Sequence, residues 1–247
     1  MTKKTLGIIL LGADSAAKVE RRLAGKSLLE LVVRRITDCQ RLDGAVVVAQ
    51  APEQAEWARQ LVPPDVPTFV APPGDALTRI LAAAEAEQAD ALVRVRADNP
   101  YVDPLLVDRL VITAEAHPSC DYISYSRADG RPAILSQLGV CAEWCSVAAL
   151  RRAATVARRS ADRQDVTAYL YGHPELFSVR LIPLPRELDR DDLRLRVDHE
   201  EDWEHAQQIY EALGADEWDW RRVADLLDHQ PHLRKRMAML NRATQSV

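Results

Sequence analysis

Two aspartates stand where a carboxylate can act on a bound ligand. Asp98 follows the apolar run Ala91 to Arg96 and precedes Asn99 and Pro100, and the proline stops any continuation of a strand. Ligands of open α/β sheets gather beyond the carboxyl ends of the strands. A carboxylate at that point can hold Mg²⁺, a hard ion that takes oxygen ligands and keeps some water and phosphate oxygens of its own. Asp198 repeats the arrangement after Leu193 to Val197, followed by the acidic helix start Glu200, Glu201 and Asp202. Those three acids also fit helix capping and the positive end of the helix dipole, and the capping reading extends to Asp198. The third candidate is Gly12-Ala13-Asp14-Ser15-Ala16-Ala17-Lys18. Its small residues and closing lysine can put backbone N–H groups and one ammonium around a phosphate. Read alone, the same stretch is equally an ordinary surface loop.

The elements that position these residues follow from hydrophobic periodicity. Thr5 to Leu11, Gly44 to Gln50 and Ala91 to Arg96 are short apolar runs of the kind buried in a parallel sheet. Helices are expected at Ser27 to Ile36 with Ser27 as N-cap, Pro52 to Leu61, and Asp75 to Gln88 after the Pro-rich segment Val62 to Gly74. This alternation implies right-handed crossovers and a doubly wound α/β core. A helix at Pro104 to Ala116 and a strand at Tyr122 to Ser126 follow. Beyond them, strands are expected at Leu138 to Cys145, Phe177 to Leu184 and Leu193 to Val197. Helices are expected at Val147 to Arg158, Asp165 to Gly172, Glu200 to Leu213, Asp216 to Asp228 and His232 to Arg242. With no evident linker, residues 1–213 read as one mixed-sheet domain and 214–247 as a helical extension packed on it.

Composition narrows the function classes. The 247 residues are 47% hydrophobic and carry a formal charge of -5, which argues against a generally basic nucleic-acid or membrane-binding surface. The charge is uneven: residues 1–35 hold eight Lys/Arg against Asp14, Glu20 and Glu30. Only 9 glycines are present, so any phosphate loop manages with few of them. No apolar run reaches the ~20 residues of a membrane helix, and the start is too short for a secretory signal, so a cytoplasmic protein is expected. Cys39, Cys120, Cys141 and Cys145 have no disulfide or zinc spacing and read as buried thiols. Trp203, Trp218 and Trp220 read as packing anchors rather than stacking platforms for a base. His173 reads as a helix-end residue, with substrate contact as the alternative.

The context of the two aspartates resembles a known family. LVRVRADNPYVDPLLVD at Leu92 to Asp108 is similar to the segment after the central strand in the cytidylyltransferases of nucleotide-sugar synthesis. The likeness is to their spore-coat polysaccharide branch, which is related to the CMP-sialic acid and CMP-Kdo synthetases. Three further blocks agree in order: LAGKSLLELVVRRI at Leu23 to Ile36, RQDVTAYLYGHPELF at Arg163 to Phe177, and LRLRVDHEEDWEHAQQIYEAL at Leu193 to Leu213. The resemblance covers roughly residues 5–213. It implies a nucleotidyltransferase fold of the glycosyltransferase-A type, with a mixed, mainly parallel sheet. It also implies transfer of CMP from CTP to an acidic or modified sugar, with Mg²⁺ and a lysine to neutralise phosphate charge. By position Asp98 and Asp198 match the metal-binding aspartates, and Lys18 the phosphate-loop lysine, which makes Lys18 and Asp98 the catalytic pair. The implied nucleotide site is Leu10, Leu11, Gly12, Ala13, Lys18, Arg96 and Asp98, and the implied sugar site Asn99, Glu143 and Arg163. Nucleic acid and membrane are not implied as partners; a homodimer is left open.

The chain departs from the family pattern at three places. The loop from Gly12 to Lys18 is short and lacks both usual arginines, with Asp14 supplying a negative charge instead and Arg21 and Arg22 following soon after. Cys141 stands where the family shows an acid, and Asp165 where it shows a histidine before Val166 and Thr167. Two other readings therefore stand beside the cytidylyltransferase. One is a catalytically degenerate member that binds nucleotide or a partner; the other is a glycosyltransferase using a nucleotide-sugar donor.

Overall fold

The computed structural model describes residues 3–13, 16–23, 25–214 and 218–245; Asp14, Ser15 and Asp216, all invoked above, lie outside them. In chain order the elements are β1 (Thr5–Leu10), α1 (Ala16–Val19), β2 (Arg22–Leu23), β3 (Lys26–Ser27), α2 (Leu28–Thr37), β4 (Ala45–Ala49), α3 (Pro52–Arg59), β5 (Thr68–Val70), α4 (Ala76–Ala86), β6 (Ala91–Arg96), α5 (Pro104–Ala116), β7 (Tyr122–Ser126), β8 (Glu143–Ser146), α6 (Val147–Val156), α7 (Ser160–Gln164), α8 (Ala168–Gly172), β9 (Val179–Pro183), α9 (Glu200–Leu213), α10 (Trp220–Asp228) and α11 (Pro231–Gln245).

Seven strands form one sheet in the order β5-β4-β1-β6-β8-β7-β9, and β2 pairs with β3 in a separate small hairpin. Within the large sheet only β8 runs against its neighbours β6 and β7. The sheet is therefore mixed and mainly parallel, as expected. Alternate residues of the central strands enter two different cores. Ile9, Val47 and Val93 pack with α2 and α5 on one face, while Ile8, Val46 and Leu92 pack with α4 and α6 on the other. Burial on both faces explains why these strands read as continuous apolar runs.

Helix starts follow the expected chemistry. The Ser27 hydroxyl accepts from the Glu30 N–H at 2.9 Å, and the Asp75 carboxylate from the Thr78 N–H at 2.8 Å. Pro104 opens α5 behind the cap Asp103. Trp203, Trp218 and Trp220 are buried in the first of the two cores, beside Val223, Leu227, Leu233 and Met237 of the last helices. All four cysteines are buried and free.

Several segments differ from expectation. Leu193 to Val197 forms no strand. The Leu195 and Arg196 N–H groups both donate to the Gln137 carbonyl, and Val197 N–H donates to that of Asp98 at 2.8 Å. Leu193, Leu195 and Val197 are buried as their alternation promises, but the segment has no ladder partner. Of Leu138 to Cys145 only Glu143 onward pairs. Gly139 adopts φ +73°, and a Cβ there would lie 2.4 Å from Arg196 N and 2.5 Å from Leu195 C, so only glycine lets the chain pass so close. Inside the Pro-rich segment Thr68–Val70 adds the edge strand β5, too short to announce itself by periodicity. Asp165 is the C-cap of α7, so the helix expected from Asp165 begins instead at Ala168. Of the helix expected over Asp216 to Asp228, the described part begins at Trp220, behind the cap Asp219.

Candidate active site

The carboxyl ends of β1 and β6, the start of α4 and the segments around Gln164 and Asp198 enclose a cavity of about 670 Å³. That size is ordinary for a small-molecule site. Leu10, Leu11, Gly12, Ala13, Lys18, Arg96, Asp98 and Asp198 all line it. Lys18 lies on the single helical turn α1 rather than in an open loop.

Along one wall, cations and carboxylates alternate. The Lys18 ammonium donates to the Asp198 carboxylate. On the other side of Asp198, Arg196 Nη2 lies 3.2 Å from its Oδ2. The same guanidinium donates from Nε to Asp98 Oδ2 at 2.8 Å, and Arg96 donates from Nε to Asp98 Oδ1 at 3.1 Å. One guanidinium thus bridges the two aspartates, each of which has a second cation on its far side. Burial on its own raises the pKa of Asp198, but the Lys18 hydrogen bond and the charges of Arg196 and Lys18 outweigh it and hold the carboxyl below its ordinary range.

The residues present fit Mg²⁺. Two carboxylates close enough to share one guanidinium offer hard oxygen donors on the cavity wall. Among the described residues no third His, Cys, Asp or Glu converges with them. Asp98 and Asp198 would hold such an ion, which would take water and phosphate oxygens as its remaining ligands.

The three residues assigned to the sugar do not line the cavity. Glu143 is fully buried in the sheet, where it accepts from Arg94 at 2.7 Å, from the Tyr122 hydroxyl at 2.6 Å and from Thr167 at 2.9 Å. Arg163 bonds Asp75 at 2.6 Å and the Ala154 carbonyl at 2.9 Å, tying α7 to the cap of α4. Asn99 is buried beside Asp98, and its Oδ1 has no partner. Glu143 acts instead through Arg94, which does line the cavity and is also held by Asp165 at 2.9 Å. Burial works against the charge of Arg94, but Glu143 and Asp165 outweigh it and raise its pKa. Asp165, the residue in place of histidine, is thus an arginine clamp. Cys141 is packed in the core, and burial pushes its thiol up. His173 stacks on Tyr169 with ring centroids 3.9 Å apart and bonds the Tyr169 carbonyl.

Cavity residues that escape the sequence reading include Gln50, Arg79, Arg94 and Arg196. Gln50 directly follows β4, so the strand-end rule that found Asp98 would have found it too. Arg94 and Arg196 belong to a pattern, Arg-x-Arg-x-Asp, that occurs at 94–98 and again at 194–198. Arg79 lies inside a helix and gives no local signal.

A mainly parallel sheet with carboxylates, a lysine and arginines gathered at its strand ends is the framework of a nucleotidyltransferase domain. Residues 11–206 match the MobA-like NTP transferase domain, and the chain belongs to that family. It is 26% identical to the spore coat polysaccharide biosynthesis protein SpsF of Bacillus subtilis over 203 residues, 80% of this chain and 81% of that protein. It is likewise 26% identical to an uncharacterized protein of Methanocaldococcus jannaschii, over 94% of this chain and 93% of the other. Among solved structures, a cytidylyltransferase from Leptospira borgpetersenii superposes with a TM-score of 0.79 at 18% identity, covering 93% of this chain and 95% of that one. CMP:2-keto-3-deoxy-manno-octonic acid synthetase in complex with CTP gives 0.57 at 11% identity, over 73% of this chain and 90% of the other. These likenesses bear out the family resemblance and the fold it implied.

Proposed function

We propose that the chain is a Mg²⁺-dependent cytidylyltransferase that transfers CMP from CTP to an acidic or modified sugar. The observation that carries the proposal is the alternating row Lys18, Asp198, Arg196, Asp98, Arg96 on the cavity wall. Phosphoryl and nucleotidyl transfers demand positioning and neutralisation of charge more than covalent help from the protein. In the reaction a sugar hydroxyl or phosphate oxygen forms a bond to the α-phosphorus as the bridge to the β-phosphate breaks and pyrophosphate leaves. Mg²⁺, when bound by Asp98 and Asp198, supplies positive charge to the phosphate oxygens. Lys18 and the backbone at Gly12 and Ala13 receive the triphosphate, whose oxygens compete with the aspartates for Lys18, Arg96 and Arg196. Gln50, fixed by its bond to the Leu11 carbonyl at 2.9 Å, closes the β4 side of the nucleotide end. The likeness to a spore coat polysaccharide protein supports a role in making a surface polysaccharide.

Incubating the protein with each nucleoside triphosphate, Mg²⁺ and a panel of sugar acids tests the proposal by pyrophosphate release. Release is expected with CTP; none with any nucleotide, from a folded sample, overturns it. One observation favours a second reading, nucleotide binding without chemistry: the Gly12 to Lys18 stretch lacks both arginines of the family. Calorimetry showing tight CTP binding with no turnover selects it. Loss of a glycosyl group without pyrophosphate indicates a glycosyltransferase.

A further inference from the structure

Each carboxylate oxygen of Asp98 and Asp198 already faces a cation of the protein. Asp98 Oδ1 accepts from Arg96 at 3.1 Å and its Oδ2 from Arg196 at 2.8 Å. Asp198 Oδ1 accepts from Lys18, and its Oδ2 lies 3.2 Å from Arg196 Nη2. An ion held by both aspartates needs an oxygen from each, and the guanidinium of Arg196 covers one oxygen of each. Lys18, Arg96 and Arg196 against two carboxylates also leave the row with surplus positive charge. A divalent ion entering beside them is repelled: one unit charge about 4 Å away weakens its binding roughly tenfold or more even at the dielectric of water. The backbone that carries Arg196 is pinned. Its N–H donates to the Gln137 carbonyl at 3.2 Å, and Gly139 packs so closely that a Cβ there would lie 2.4 Å from Arg196 N. The side chain lines the cavity and is 17% exposed, so its guanidinium can leave the aspartates by a rotamer change into the cavity.

We propose that Arg196 is a built-in occupant of the metal's place. It keeps a divalent ion off Asp98 and Asp198 in the nucleotide-free protein, and releases the two carboxylates when a triphosphate draws its guanidinium away. This rests on the nucleotidyltransferase reading above and adds an order to it: the metal site forms only once the triphosphate has arrived. A triphosphate offers the planar fork of the guanidinium two anionic oxygens together, as the aspartates do. A free divalent ion carries charge of the same sign as Arg196 and offers it no acceptor. Arg196 therefore acts with opposite sign on the two ligands, against the free metal and for the metal-free nucleotide. A residue that only supports the local fold would weaken both when removed.

Two titrations test this. Mn²⁺, which takes the same oxygen ligands as Mg²⁺, is added to nucleotide-free protein and followed by the loss of its free electron paramagnetic resonance signal. Arg196→Met and Arg196→Gln should each bind it at least about tenfold more tightly than wild type. Combining Asp98→Ala with Arg196→Met should remove that gain. CTP is then titrated by calorimetry in EDTA. Wild type should bind it without metal, and Arg196→Met should bind it roughly tenfold more weakly. Equal Mn²⁺ affinity in wild type and both Arg196 variants overturns the proposal, as does a gain that survives Asp98→Ala. Unchanged CTP affinity in Arg196→Met, or CTP binding by wild type that requires the metal, overturns it too, because the triphosphate then does not draw the guanidinium away. Weaker binding of both ligands by the variants makes Arg196 a structural residue and overturns it likewise. If wild type binds no CTP with or without Mg²⁺, the functional reading fails separately, and the Mn²⁺ titration, which uses no nucleotide, still decides whether Arg196 shields the aspartates.

Discussion

Arg94 to Asp98 and Arg194 to Asp198 share one pattern and are built in two different ways. The first is a strand end. Arg94 and Arg96 are in register with Ile8 and Leu10 of β1, so the backbone ladder fixes Asp98. The second has no ladder, and side chains take its place. Arg194 is almost fully buried and donates from Nε to Asp202 at 2.5 Å and from Nη1 to Thr244 at 3.1 Å. Asp202 in turn accepts the N–H groups of Asp198 and His199 at 3.0 and 2.9 Å, so the capping role expected of that acid also aims Asp198. In both copies the arginine two residues before the aspartate reaches Asp98, while the arginine four before is spent on a buried clamp. Identical spacing therefore separates into an arginine that grips Asp98 and one held by a buried carboxylate, and what differs between the copies is whether backbone or side chain positions them.

The largest expected effect falls on the carboxylate gripped from both copies. Asp98→Ala should lower nucleotidyl transfer by about 10³-fold, since it removes an oxygen donor and frees two arginines at once. Circular dichroism should show the fold intact, because β6 keeps its ladder on both sides. Full activity in Asp98→Ala would take Asp98 out of the site.

The next effect separates the two arginines of the second copy. Arg194→Met leaves Asp202 buried without its partner and should lower stability by about 3 to 5 kcal/mol in denaturant unfolding. The protein that remains folded should turn over normally. Arg196→Met should do the reverse, cutting turnover by roughly 10- to 100-fold with little change in the unfolding midpoint, because its two aspartates keep Lys18 and Arg96. If Arg194→Met loses activity at unchanged stability, the division of labour between the copies is wrong.

The same contrast explains what was legible in the sequence. Asp98 was found because a strand covered on both faces is a continuous apolar run, and its end is visible to the residue. Asp198 was found by analogy with that strand, although Leu193 to Val197 alternates for a different reason: Leu195 and Val197 pack inward while Arg194 is swallowed by a clamp 8 residues ahead and by α11. The ladder partner a strand requires is a long-range fact, and periodicity carries none of it. The family resemblance implies Glu143 and Arg163 as sugar contacts, but an aligned residue type says nothing of its partners, and here their charges are consumed by Arg94 and Asp75. Arg79 is the opposite case, a charge inside a helix that lines the cavity and follows no visible motif.

The smallest effect concerns the outer end of the row, where Lys18 meets Asp198. Side-chain exposures of 32% and 24% there, against 17% for Arg196 and 12% for Asp98, make it more open to water than the middle of the row. Burial raises the Asp198 pKa, and Lys18 together with Arg196 more than reverses that, so the folded carboxyl releases its proton at lower pH than the unfolded one. Between those two values the folded protein binds fewer protons than the unfolded chain. The stability this contributes is present above the ordinary carboxylate range and is lost as pH falls through the folded value. Lys18→Met removes the hydrogen bond and one of the two nearby cations, so the acid limb of its stability profile should lie at higher pH than that of wild type. At neutral pH the difference should stay within about 1 kcal/mol, because a partly exposed pair is screened. Thermal unfolding followed from pH 7 down to pH 3 at constant ionic strength checks both. Superimposed acid limbs would mean that Lys18 does not hold Asp198 in solution and already faces the cavity. The copy built on side chains would then depend on Arg196 alone at its reactive end, and the Arg196→Met loss of turnover should be correspondingly larger.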